Sequence, residues 1–545
     1  MLTYEVCRSI YTTYMLDFSR SSPLQRRVVP VFFAVVLAIG LLLFRGYGLS
    51  MDENQQRDIG MISLKYVAQK ISPAWVASDG NFDKYQVPLP EFYDRDYGVA
   101  FETPVCYAER LIGFDDDGNK FLFRHLCTFL VCFGGLIAVY QLANRRFRDW
   151  RLGLLAALWL LLSPRLFADS FYNDKDAVFM AVFAIATNTA VRFLLRPTVG
   201  RAMAAAVVCA ITIDVRIMGV LIPLATVALL VWRGLRAEVR WARVAGLGLL
   251  YVGLLAGVVV ALWPYLWEAP LDNFLQAFKN MSAFRWGGTV LYRGELVAAT
   301  ALPWHYIPVW MGITTPVFYL AAGLLGLGLV VKHLVRHHWR LWRDEQGMQD
   351  FLFLGLFLGP LLAVIVLHSV LYDGWRQLYF IYPPFILLAL RGWVAAARWR
   401  PRWAGWPKAL YGATALSMLL TAVQMVRDHP LQNVYFNLLV GPNAGERFEI
   451  DYWGVGYRND LEYIVKHDPR PTIKVFAPGP SPASFNRLML PSAQRDRLLF
   501  VEVPDSADYF VTNYRGHPNP YPYDFEVHQV RADGRRVHSV FRLRW

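Results

Sequence analysis

Apolar windows long enough, or nearly so, to cross about 30 Å of hydrocarbon recur along most of this sequence, and that recurrence limits the fold more than any other feature. The first runs from Val28 to Leu43 and the last from about Ala409 to Val426. Together they predict about eleven spanning helices. Composition agrees: 55% of the 545 residues are hydrophobic and only 18% are charged, with a mean hydropathy of +0.30. A chain this apolar is an integral membrane protein rather than a soluble one.

The formal net charge of +13 does not point to nucleic acid, because the cations lie in short clusters between apolar windows and not on one soluble face. Arg20, Arg26 and Arg27 precede the first window, and Arg145, Arg146, Arg148 and Arg151 separate the second from the third. Arg192, Arg196 and Arg201 follow, then Arg233 to Arg243, Lys332 to Arg343, and Arg398 to Lys408. Every alternate connection is basic, which predicts a cytoplasmic N-terminus. An odd number of spans then leaves the C-terminus outside. The first window lacks a small-residue cleavage site and is expected to stay as a signal anchor. Cys7, Cys106, Cys127, Cys132 and Cys209 show no metal spacing and read as small apolar residues.

The remaining connections carry the unusual residues. The first outer loop, about 46–120, opens on Ser50-Met51-Asp52-Glu53 and continues through Glu91-Phe92-Tyr93-Asp94-Arg95-Asp96-Tyr97-Gly98. Between them Ile59, Ile62, Leu64, Val67 and Ile71 predict an amphipathic helix on the membrane surface. The second outer connection reads Ser163-Pro164-Arg165 through Asn173-Asp174-Lys175-Asp176, and a later one reads Tyr372-Asp373-Gly374-Trp375-Arg376. His305 lies in a further long connection. Three domains follow: a cytoplasmic leader over 1–27, a membrane domain over 28–426, and an extracytoplasmic domain over 427–545. The β-rich runs Thr472–Phe476, Leu498–Val503 and Ala507–Thr512, with an Ala532-Asp533-Gly534 turn, mark the last as a small soluble α/β unit.

Each charged group has a plain structural reading. Asp52 and Glu53 can cap the following helix, Asp174 or Asp176 can pair with Lys175 or Arg165, Arg376 can reach headgroups, and His305 can belong to an aromatic belt. A shared reading is a mixed-charge cavity on one side of the membrane. Transfer of a sugar from a phosphate-linked lipid to a hydroxyl needs a base near the acceptor, cations near the departing phosphate and an apolar groove for the tail.

Met51-Asp52-Glu53, the Ser163 to Asp176 segment, and Asp373-Gly374-Trp375-Arg376 with Tyr382-Pro383-Pro384 resemble the C-type superfamily of polyprenyl-phosphate-sugar-dependent glycosyltransferases. The resemblance is nearest to glycosyltransferase family 39, which includes protein O-mannosyltransferases and the lipid A aminoarabinose transferase, and it covers roughly Val28 to Val426. It implies an inverting transfer from a polyprenyl-phosphate sugar to an extracytoplasmic glycan, lipid or protein acceptor, at the plasma (inner) membrane. Asp52 would be the general base and Glu53 its positioning partner. Lys175, Arg376 and Arg165 would hold the donor phosphate, while Asp96, Asp174, Asp176, His305 and Asp373 would contact substrate. Asp174 and Asp176 would be ligands in a relative that uses a divalent ion. Lys175 lies between them, and family 39 relatives generally work without metal, so no cofactor is expected.

A second function class is a lipid or polysaccharide transporter, which also places charge in a membrane cavity. Internal repeats and mid-depth charges would mark it, and the sequence shows neither. A third reading makes the spans an anchor for the C-terminal domain, in which case Asp52 would tolerate replacement.

Overall fold

The computed structural model describes residues 22–282, 284–336 and 341–544. The leader up to residue 21 lies outside the described residues, as do Arg20, Cys7 and Arg340. The first span, α1, covers Pro23–Leu43, and its N-cap Ser22 accepts the Gln25 backbone N–H. The long first loop folds into helices of its own, α2 (Glu53–Ile71) and α3 (Glu102–Ile112). The membrane bundle continues with α4 (Asp117–Phe147), α5 (Trp150–Leu161), α6 (Pro164–Tyr172), α7 (Asp176–Leu195) and α8 (Val199–Val215). After these come α9 (Leu221–Leu235), entered through a tight turn over Ile217–Val220, and α10 (Trp241–Leu262). A connection holding α11 (Pro270–Ser282), the strands β1 (Thr289–Tyr292) and β2 (Glu295–Ala298), and α12 (Tyr306–Thr314) leads to α13 (Val317–Arg336). The bundle closes with α14 (Glu345–Val366), α15 (Tyr382–Arg398) and α16 (Trp406–Arg427).

Nine helices among the described residues are long and apolar enough to cross a membrane, or ten if the bent pair α5 and α6 forms one span. The pair bends by 72° at Ser163-Pro164, where proline lacks the helical N–H and restricts the residue before it. The 17 residues of α8 are not among these candidates, so the described residues give nine or ten candidate spans where about eleven are expected. The 31 residues of α4 extend about 46 Å, well beyond the hydrocarbon. Its first turns therefore stand at the same end of the bundle as the loops that follow α1, α6 and α8.

One expectation changes. Much of the apolar side of α2 packs on protein: Met61 and Leu64 pack with Phe82 and Cys106, and Ile62 packs with Leu89 and Tyr66, while Ile71 at its end stays exposed. The first loop thus has a core of its own, which accounts for its length. The hairpin β1–β2, paired antiparallel from Thr289 opposite Ala298, has no apolar alternation that announces it in the sequence.

The C-terminal unit carries a five-stranded sheet in the order β4-β3-β5-β7-β6. The strands are β3 (Ile473–Phe476), β4 (Leu498–Phe500), β5 (Tyr509–Thr512), β6 (Glu526–Ala532) and β7 (Arg535–Arg542). The β6–β7 turn sits where expected, with Asp533 and Gly534 both at positive φ. Leu461 and Ile464 of α17 (Tyr457–His467) pack against Ile473, Val475, Val511 and Val540 to form its core. The chain between bundle and sheet is not a free linker. Leu431, Val434, Tyr452 and Trp453 bury themselves with Tyr47, Phe129, Phe171 and Tyr172 of the membrane part.

Candidate active site

Arg376 organises the site. Asp373 and Gly374 take successive left-handed conformations, φ 54° and 74°, a turn that glycine tolerates and aspartate adopts more readily than most residues. The turn aims Arg376 inward from the bundle end, where its side chain is 2% exposed. Its Nη1 donates to Asp52 Oδ2 and to Asp176 Oδ2, both at 2.9 Å, and its Nη2 donates to Asp373 Oδ2 at 3.2 Å. The second oxygen of Asp176 takes Arg216, and that of Asp373 takes Nη2 of Arg515 at 2.7 Å. The guanidinium also lies over the rings of Trp453 at 4.5 Å and Tyr372 at 4.9 Å. Charges withdrawn from water cost several kcal/mol each unless paired, and here each carboxylate has a cation.

Lys175 is the exception. Its residue is 8% exposed, yet among the described residues its ammonium makes no hydrogen bond or ion pair. It rests over the Tyr97 ring at 4.1 Å. Its charge acts on several carboxylates without contact: those of Asp52, Asp94 and Glu102 all feel it. Ala100 and Val178, each three residues along the chain from Tyr97 and Lys175, line an apolar groove of about 430 Å³ together with Phe101, Val182, Ile211 and Val215.

Asp52 is the N-cap residue of α2, but its side chain makes no capping hydrogen bond. It points to Arg376 instead and keeps 26% of its side chain exposed. Burial alone would raise its carboxyl. The charges of Arg376, then Lys175 and Arg515, outweigh that and hold it below the usual carboxylate range. Glu53 turns the other way: Oε2 accepts the Ser50 N–H at 2.6 Å and Oε1 meets His125 Nε2 at 2.8 Å. Behind it, Arg124 is shared by Glu102 and by Asp174, the latter at 2.8 Å. Burial raises both carboxyls against the pull of Arg124; the charge of Glu53 raises both further, that of Glu102 also raises Asp174, and Lys175 pulls Glu102 down.

The structure thus brings Asp52, Asp176, Asp373, Arg376 and Lys175 together, with Glu53 and Asp174 in the layer that fixes them. Asp174 and Asp176 face different arginines, and no group of three or more His, Cys, Asp or Glu side chains among the described residues is arranged to hold a metal ion. Three expected residues lie elsewhere. Arg165, 3% exposed, donates through Nε to the Tyr435 carbonyl at 2.9 Å and stacks on Phe436; the bend at Pro164 turns it toward the tail. Asp96 accepts from Asn280 at 2.6 Å and Arg285 at 3.3 Å, tying the first loop to the end of α11. His305 meets the Tyr292 hydroxyl at 2.6 Å beside the β1–β2 hairpin.

Sequence reasoning missed Glu102, Arg124 and His125 as partners, although a polar Arg-His pair inside the start of an apolar window is a readable signal. It also missed Arg515 and Trp453, since nothing in a soluble-looking tail marks a residue as belonging to a membrane site. Asp214 is buried for a local reason. Its Oδ1 accepts the Val99 N–H at 2.9 Å, and a Cβ on Gly98 would lie 1.3 Å from the Asp214 carbonyl oxygen, so only glycine permits that approach.

Two solved structures of ArnT from Cupriavidus metallidurans are similar to this chain. The one bound to undecaprenyl phosphate is 13% identical with a TM-score of 0.44, over 94% of this chain and 97% of that one. The apo form is 14% identical with a TM-score of 0.46, over the same 94% and 97%. No protein-family profile and no curated protein matches the sequence.

Proposed function

We propose that this chain is an inverting glycosyltransferase that moves a sugar from a polyprenyl phosphate to a hydroxyl acceptor on the extracytoplasmic side, with Asp52 as general base. The observation that carries this reading is the Lys175 ammonium, which makes no ion pair among the described residues, acts on Asp52 and lies three residues along the chain from the lining of an apolar groove. A lipid tail in the groove would place its phosphate near that ammonium. The basic connections at the opposite ends of the spans orient this face outward. The sequence resemblance assigns the same two residues to base and phosphate.

In the proposed reaction the acceptor O–H donates to Asp52, which is ionised, partly exposed and held by Arg376. The acceptor oxygen bonds to the anomeric carbon as the carbon–oxygen bond to phosphate breaks. The proton passes to Asp52, and the electron pair leaves with the phosphate, where Lys175 stabilises the charge. Glu53, fixed by Ser50 and His125, keeps the start of α2 in place. Asp176 and Asp373 hold Arg376 at the angle from which it reaches Asp52. The gathering of charge at one bundle end, away from mid-depth, speaks against transport across the membrane.

The test is transfer from radiolabelled polyprenyl-phosphate sugars in membranes that contain the chain. Asp52→Asn is expected to lower the rate by about two orders of magnitude or more. Full transfer by this variant at normal expression overturns the assignment.

A further inference from the structure

Where the β1–β2 hairpin meets the C-terminal domain there is a second cavity, of about 670 Å³, lined among others by Phe448, Glu449, Asn513, Tyr514 and Arg536. Glu449 forms part of its wall and is 5% exposed. It accepts the Leu291 backbone N–H, while its Oε2 is buried with no partner. An unsatisfied buried carboxylate oxygen costs about 1–3 kcal/mol or more, so a cavity large enough for a ligand beside it calls for a donor. On another wall, Arg536 lies over the Tyr514 ring at 4.4 Å, and among the described residues its guanidinium makes no hydrogen bond or ion pair. Tyr514 carries Arg536 over its ring, and Phe448, packed on Tyr292, Trp310 and Phe436, backs the wall. Among the described residues the pocket thus offers an unpartnered acceptor and an unpaired cation at once.

We propose that this cavity binds an acidic sugar unit of the acceptor glycan: a sugar hydroxyl donates to Glu449 Oε2, and a carboxylate or phosphate substituent pairs with Arg536. Calling the ligand an acceptor rests on the glycosyltransferase reading. The link to that site is structural. Arg515, two residues beyond Asn513, pairs with Asp373, which holds Arg376, which holds Asp52. Burial, with the nearby charge of Asp373, pushes the Glu449 carboxyl up to about 8, against the opposing pull of Arg515 and Arg376. A neutral carboxyl both gives and accepts a hydrogen bond, which suits a hydroxyl partner.

The experiment uses the purified full chain in detergent without donor, with methyl glucuronide, glucose-6-phosphate and methyl glucoside as probes followed by saturation-transfer NMR and mutual competition. The two acidic sugars are expected to compete for one site and to bind about tenfold better than methyl glucoside. The tighter of the two tells carboxylate from phosphate. Arg536→Ala should erase the preference for acidic sugars, and Glu449→Leu should weaken all three by about tenfold. Glu449→Gln, whose amide also gives and accepts, should retain binding. Equal binding of all three probes, no binding of either acidic sugar, or binding indifferent to both Arg536→Ala and Glu449→Leu overturns the proposal. Asp52→Asn should leave probe binding unchanged. Loss of the transferase reading with probe binding intact therefore removes only the word acceptor, whereas transfer without probe binding removes this site.

Discussion

Nη1 of Arg376 donates to Oδ2 of Asp52 at 2.9 Å and, from the same nitrogen, to Oδ2 of Asp176 at 2.9 Å. A base in that field stays ionised at neutral pH and gives up some proton affinity in exchange. Its carboxyl lies below the ordinary value despite burial, because Arg376, Lys175 and Arg515 outweigh the loss of water.

The acid limb of kcat/KM is therefore expected below the usual aspartate value of about 3.9. Removing a cation raises the Asp52 carboxyl, so Arg515→Gln should move that limb upward, by up to about one unit. The pH profiles of wild type and variant check this, and an unmoved limb shows that Arg515 acts on structure alone.

Lys175 should matter more for donor than for folding, since among the described residues its ammonium makes no hydrogen bond or ion pair and rests over the Tyr97 ring. Lys175→Ala is expected to weaken polyprenyl-phosphate binding by about ten- to a hundredfold, the worth of one hydrogen bond to a charged group. The thermal midpoint without ligand should change little. The measurement is the shift in midpoint with added polyprenyl phosphate; the same ligand-induced shift in variant and wild type would remove Lys175 from the phosphate site.

The membrane spans were legible because hydrocarbon imposes length and apolarity on consecutive residues, and the Asp52, Lys175 and Arg376 clusters stood out as charges where such spans end. The β6–β7 turn was legible for a similar local reason, since Asp533-Gly534 supplies the positive φ that its hairpin needs. What escaped was partnership. Arg165 and Arg376 look alike in sequence, yet the bend at Pro164 sends one to Tyr435 and the Asp373-Gly374 turn sends the other to Asp52. The α2 stripe read as membrane-facing because periodicity reports that a face is buried and not what buries it; Phe82 and Cys106 do so here. Arg515 reaches Asp373 from 142 residues away, and no pattern within the tail records that meeting.

Arg165 should accordingly behave as a brace. It donates to the Tyr435 carbonyl and lies over Phe436 at 4.6 Å and Trp310 at 5.4 Å. Arg165→Ala loses that packing along with the bond, for a cost of about 2–4 kcal/mol. Thermal unfolding in detergent should show the loss while affinity for polyprenyl phosphate in the surviving folded fraction stays unchanged. Weaker lipid binding at unchanged stability would return Arg165 to the phosphate site.

His538 gives the C-terminal domain its own pH dependence. The imidazole is fully buried between Asp451, at 2.9 Å from Nε2, and Asp460, at 2.7 Å from Nδ1. Burial opposes its charge, but the two carboxylates prevail and raise it to about 9. A folded-state value above the unfolded one of about 6.5 means that the stabilisation is complete below that pH and is lost as pH rises toward 9, an amount on the order of 3 kcal/mol. Asp451 also accepts the Gly454 and Gly456 N–H groups, which brackets the segment that sets Trp453 against Arg376. Raising the pH from 6.5 to 9 should thus lower the unfolding midpoint of the C-terminal domain. His538→Gln should start from a lower midpoint and lose most of this slope. A variant that kept the wild-type slope would show that another group titrates in this range.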